Sequence, residues 1–258
     1  MCTTMAKFPR TCFSLAFIIL GLMMQDFANA QAIEVDVAYF YTTSVKNKYA
    51  DIEADLIDKI DAQLNTIFLL GGALSVEFNV AGHREITLSG PNPVNETDLL
   101  LHDAAKLSHS QNPADRLKTS AGESIAAIRY ALKADIVYVI YDQDKVAFSG
   151  GHAGEQVNLP THPFPWPEVY LVTISDEAAI SNRYISAHGM GHVLGCRHPR
   201  GTGPGTDNNT VPFPKCHGYV FAEGQYGTIM TNFETCPPPN CNRIPFFSNK
   251  NEDYIDVK

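Results

Sequence analysis

The run from His188 to His198, which reads H-G-M-G-H-V-L-G-C-R-H, constrains the chain more than any other stretch. His188 and His192 are four residues apart, so on a helix they stand one turn apart on the same face and both imidazoles reach one point. Gly195 lets that helix stop in a left-handed turn, after which the chain returns His198 as a third nitrogen donor. Three neutral imidazoles leave the fourth tetrahedral position of Zn2+ open, which is the donor set of a catalytic rather than a structural site. Cys196 is a rival ligand by type, but it lies inside a set that is complete without it.

Downstream, Tyr226-Gly227-Thr228-Ile229-Met230-Thr231 supplies a methionine at a turn. The two stretches together resemble the metzincin zinc peptidases, whose pattern is H-E-x-x-H-x-x-G-x-x-H followed by a methionine turn. Within that clan the chain is most similar to the secreted, reprolysin-like endopeptidases of bacterial type. The resemblance implies Zn2+ on His188, His192 and His198, Met230 beneath the metal, a protein or peptide substrate, and peptide-bond hydrolysis by activated water. It implies an α/β (α+β) fold: a twisted mixed sheet with packed helices, a zinc helix, and an edge strand near residues 148–154 that borders the substrate groove. Gly191 fits the pattern as a small residue between ligands. Pro199 departs from it, since reprolysins carry aspartate after the third histidine.

The decisive departure is Gly189, which stands where the family has glutamate. That carboxylate takes a proton from the attacking water and hands it to the leaving amine, and general acid–base groups contribute about 10²–10⁴ in rate. Glycine can do neither, so hydrolysis is expected to be strongly impaired while metal binding survives. Glu155, Glu177, Glu223 and Glu234 are substitutes by residue type, but none has the helical register of position 189. Two further readings stand beside the first: a working peptidase with a relocated base, and a non-catalytic peptide-binding or decoy protein.

Residues 1–30 carry a separate message. Lys7 and Arg10 precede an apolar run from Phe13 to Met24, and Ala28-Asn29-Ala30 is a small-x-small cleavage site. The run is about twelve residues, too short to span a bilayer, so it reads as a secretory signal peptide. The expected product is extracellular or periplasmic, with no membrane association after cleavage and no room for a propeptide before the first strand. The remaining span, 31–258, is long enough for one domain with a sizeable core and is expected to be a monomer. A net charge of −9 without a basic patch argues against a nucleic-acid partner.

Cys2 and Cys12 leave with the signal, and Cys196, Cys216, Cys236 and Cys241 remain, an even number suited to two disulfides in an exported chain. Of the three pairings, Cys236–Cys241 with Cys196–Cys216 is favoured. Periodicity predicts a strand from Ile33, an amphipathic helix from Tyr49 to Leu70 ending at Gly71-Gly72, and a strand through Val76, Phe78 and Val80. A helix starting at Asn95 and running to Ser108 would place His102 and His109 on one face as solvated or packed residues. Another helix is expected over Glu123–Leu132, a strand buried on both faces over Asp135–Tyr141, and a strand over Val169–Ile174. His152 receives no role, and His217 is expected to be structural or exposed.

Overall fold

The computed structural model describes residues 33–70, 76–88, 117–119, 123, 125–145, 151–153, 171–199, 217–221, 224–232, 235–237 and 241–248. Strand β1 (Ile33–Thr42) alternates its side chains between two apolar clusters. Val35, Val37, Tyr39 and Tyr41 enter one, whereas Ala38 and Phe40 enter the other. Because successive strand residues point to opposite faces, both faces of the sheet are covered. Strand β4 (Ile136–Tyr141) is buried at every position, as its unbroken apolar run predicts.

Helix α1 (Thr43–Lys48) opens on Thr42, whose hydroxyl accepts from the Val45 N–H at 3.4 Å. The helix expected from Tyr49 to Leu70 is present but starts later, at Ile52, because Tyr49 is extended and ends α1. Asp51 Oδ1 accepts from the Glu53 and Ala54 N–H groups, each at 3.2 Å, and so caps a new helix. Its first turn, Glu53–Ile57, is wound as a π-helix before the regular α2 (Asp58–Leu70). The apolar residues of both turns still face the core, including Leu56, Ile57, Ile60, Leu64 and Ile67. Strand β2 (Val76–Leu88) runs well beyond the alternation at its start. Strand β3 (Leu117–Thr119), helix α3 (Ile125–Leu132), strand β5 (Gly151–Ala153), strand β6 (Leu171–Ser175), helix α4 (Asp176–Ala179) and helix α5 (Ile185–Val193) follow. Three short strands, β7 (Val220–Phe221), β8 (Tyr226–Gly227) and β9 (Asn242–Arg243), make a second sheet. The expected helix at Asn95 with His102 and His109 lies outside the described residues, as does the end at Gly71-Gly72.

The main sheet has the order β3-β2-β1-β4-β6-β5. Its four inner strands are parallel, and β3 and β5 pair antiparallel at the two edges. Helices α2 and α5 share one face with the odd-numbered residues of β1, and α3 covers the other. The chain is thus a mixed α/β structure in which α5 lies against the sheet beside the antiparallel edge. Among the described residues no helix is long and apolar enough to cross a membrane.

One ionic lock holds the segments that lead into α5. Asp176, fully buried at the start of α4, accepts from Lys48 Nζ at 2.8 Å, from the Tyr49 hydroxyl at 3.1 Å and from the Gln143 N–H at 2.9 Å. Lys48 also contacts Asp142 at 3.0 Å and Asp144 at 3.2 Å. Burial works against its charge, but the hydrogen bonds to Asp176, Asp142 and Asp144 outweigh it and hold the ammonium well above its ordinary pKa. The ends of β1, β4 and β6 are thereby tied together, which fixes where α4 turns towards α5.

Asp61 on α2 provides a stability test. Burial, aided by the neighbouring charge of Asp58, raises its carboxyl to about 6, and Asn65 donates to it at 3.0 Å. A carboxyl raised above its unfolded value near 3.9 binds more protons in the folded state, so stability falls as pH rises from about 4 through 6. Asp61→Asn keeps the acceptor for Asn65 without the charge. We expect it to raise stability at pH 7 by about 1 kcal/mol, after discounting for solvent screening of a part-buried group, and to have little effect at pH 4. Urea unfolding of both proteins at the two pH values measures this.

Candidate metal centre

Helix α5 is a poor helix by local criteria. Gly189 and Gly191 each cost roughly 1 kcal/mol relative to alanine in a helix interior. Tyr184, which precedes its first turn, is held in the left-handed region at φ 57° and offers no side-chain cap. Tertiary contacts must therefore hold it in place, and every residue of α5 except His188 is buried. Ser186 makes two of these contacts. The buried Tyr138 hydroxyl on β4 donates to Ser186 Oγ at 2.7 Å, and Ser186 donates to the Ala179 carbonyl at 2.5 Å.

The helix ends as the glycine predicts. Gly195 adopts φ 94°, the Gly195 N–H donates to His192 O at 2.9 Å, and the Cys196 N–H donates to Gly191 O at 2.8 Å. That pair of bonds is the Schellman stop, which folds the chain back over the last turn. It turns the Cys196 carbonyl towards His192 Nδ1, 3.1 Å away, and leads on to His198. His198 is held in turn by the bridge between Arg197 and His217, by the Gly218 N–H on Arg197 O at 2.8 Å, and by His217 Nδ1 at 3.0 Å from its own carbonyl. His217 is therefore a clamp on the third histidine.

The three Nε2 atoms of His188, His192 and His198 form a triangle with every edge 3.1 Å. Among the described residues these are the one group of side chains that could hold a metal ion. Their tautomers follow from their other contacts. His188 Nδ1 lies 2.8 Å from Ile229 O and His192 Nδ1 3.1 Å from Cys196 O. A carbonyl can only accept, so in the neutral rings both Nδ1 atoms carry the proton and both Nε2 atoms present lone pairs. Lone pairs converging at 3.1 Å repel unless a cation lies among them. The spacing suits one: Zn–N bonds of about 2.0–2.1 Å at tetrahedral angles need nitrogens roughly 3.3–3.4 Å apart. One edge of the His188 ring reaches the surface, but desolvation of the rest, then the neighbouring His192 and Arg243, hold the imidazole below its ordinary pKa.

The turn 228–231 forms the floor. The Thr231 N–H donates to Thr228 O at 3.0 Å, and Met230 is completely buried. A Cβ on Gly191 would lie 2.4 Å from Met230 Sδ and 2.8 Å from Phe247 Cε1, so glycine between the two ligands is a steric requirement. Gly189 is buried in α5 and brings no functional group to the residue after His188. Of the candidate substitute carboxylates, Glu177 projects to solvent in the Lys48 cluster, and Glu155, Glu223 and Glu234 lie outside the described residues. Cys196 is disulfide-bonded, which removes it as a thiolate ligand. Cys236 pairs with Cys241, while Cys216 lies outside the described residues. Strand β5 is antiparallel to β6 at the edge of the sheet, and nothing is described of the His152 side chain.

Several contributors carried no signal in the residue pattern: the Ile229 and Cys196 carbonyls, the His217 clamp, and the Tyr138–Ser186 pair. Arg243 is a further one. Its guanidinium donates to the carbonyls of Arg183, at 3.3 Å, and Thr231.

No protein-family model matches the chain, and no curated sequence does. Among the solved structures that resemble it are the following two. One is described as a chaperone–substrate complex, with TM-score 0.54 and 14% identity over 84% of this chain and 30% of that one. The other is metalloproteinase-II from Bacteroides fragilis, with TM-score 0.32 and 16% identity over 66% of this chain and 45% of that one. The first is a likeness of fold alone, and the chain spans less than a third of it. The second is too distant to carry an argument.

Two outcomes follow from the geometry. Gly191→Ala forces Met230 and Phe247 apart and should lower stability by about 1–3 kcal/mol, the usual cost of overpacking, measured by urea unfolding. Zn2+ at about one hundred times its dissociation constant should stabilise the folded chain by roughly 2.7 kcal/mol, and a chelator should remove that gain. His192→Ala should abolish the response in a thermal melt.

Proposed function

We propose that the chain is an exported zinc protein of the metzincin metallopeptidase type whose power to hydrolyse peptide bonds is strongly impaired because Gly189 occupies the position of the general base. The observation that carries this reading is the 3.1 Å triangle of Nε2 atoms, two of them oriented by carbonyls on their Nδ1 atoms. The Cys236–Cys241 disulfide supports an oxidising compartment, as does the signal-like start of the chain.

His188, His192 and His198 would hold the ion. Zinc, when bound, supplies a Lewis acid that polarises a carbonyl and acidifies water. The Ile229 and Cys196 carbonyls orient two of the imidazoles that would hold it, Met230 packs against Gly191 between those ligands, and β5 is an antiparallel edge along which an extended peptide would pair. The chain provides no group at position 189 to move a proton. A peptide that binds is therefore held at the metal with little cleavage, which makes the non-catalytic peptide-binding reading the nearest alternative.

The test compares the chain as it stands with Gly189→Glu, assaying zinc content and cleavage of a mixed peptide library. Both proteins should hold one zinc, and the glutamate variant should cleave about 10²–10⁴ times faster. Equal rates would mean that a base stands elsewhere. Zinc absent from both would remove the metal centre itself.

A further inference from the structure

We propose that Arg243 is a positioning residue for the histidine triad: its guanidinium braces the turn whose Ile229 carbonyl orients His188. The inference rests on the metal-binding reading above. Arg243 leaves β9 and spans two carbonyls, Arg183 O just before Tyr184 and α5, and Thr231 O at the close of the turn 228–231. The same turn carries Ile229, whose oxygen lies 2.8 Å from His188 Nδ1. One planar fork therefore sets the distance between the start of the ligand helix and the turn that orients its first ligand. The ring of His188 is placed by both.

Electrostatics alone would disfavour this arrangement. A charged guanidinium and a bound cation repel each other. Burial, with Arg183 nearby, lowers the guanidinium's pKa to about 10, which leaves it charged at neutral pH. A cation kept so close to a cation site has a geometric use that outweighs its repulsion. The two effects predict opposite signs for a neutral replacement: lost bracing weakens metal binding, whereas lost repulsion strengthens it.

The experiment measures Co2+ affinity and the cobalt visible spectrum for the full chain, Arg243→Met and Arg243→Lys. Methionine keeps the apolar stem without the fork and should weaken Co2+ about 10–100-fold, the usual effect of losing a group behind a ligand, with an altered spectrum. Lysine cannot donate to both carbonyls in one plane and should fall between. A methionine variant that binds as tightly as the unaltered chain, or more tightly, with the same spectrum overturns the inference while leaving the metal centre intact. If that variant does not fold, the lysine variant decides by the same criterion. If neither folds, the side-chain NMR signals of Arg243 in the unaltered protein should shift with those of His188 as Zn2+ is added, and unmoved Arg243 signals overturn the proposal. No cobalt on the unaltered chain overturns the metal reading and this inference with it.

Discussion

Three imidazole nitrogens facing one another at 3.1 Å is the constraint on which the rest of the structure depends. Left to themselves the rings would rotate so that each nitrogen met a donor or water. They are prevented because the opposite edges of two rings are engaged by backbone carbonyls, from the Schellman stop of α5 and from the turn 228–231. His188 and His192 thus present fixed Nε2 lone pairs towards His198, an arrangement that a cation among the three rings satisfies. The requirement extends outward: Gly191 must lack a side chain for Met230 to reach the floor, and His217 must hold the carbonyl of His198.

Holding such a site needs a rigid mount, and α5 does not supply rigidity by itself. Two internal glycines and a left-handed residue at its start all favour other conformations. The parallel centre of the sheet compensates. Buried β4 contacts the helix through Tyr138 and Ser186, and the Lys48–Asp176 lock fixes α4 one turn upstream. Removing one partner of a buried pair leaves an uncompensated charge, so this lock specifies geometry more than it adds stability. A weak helix clamped by a strong sheet also explains why Arg243 matters, since it braces the remaining side.

Much of this was legible from the residues. The i, i+4 histidines, the turn at Gly195 and the completeness of β4 follow from helix period, backbone freedom and apolar run length, which are local properties. What was not legible is non-local or silent. The start of the helix after Asp51 rather than at Tyr49 arises because a side-chain oxygen competes with the backbone, inside a stretch whose apolar period gives no sign of it. Ile229 and Cys196 act through carbonyls that every residue possesses, so their identity carries no message. Arg243 and Tyr138 acquire their roles only when β9 and β4 are brought to α5. Gly191 could be recognised as small, yet its cause, Met230 thirty-nine positions later, appears only in the fold.

An intact cation grip stands beside a missing proton carrier, and the grip comes first. X-ray absorption at the zinc edge of the loaded chain tests it most directly. Three imidazole nitrogens at about 2.0–2.1 Å, a light-atom fourth ligand and no sulfur near 2.3 Å are expected. A shell with sulfur, or with fewer than three imidazoles, would contradict it.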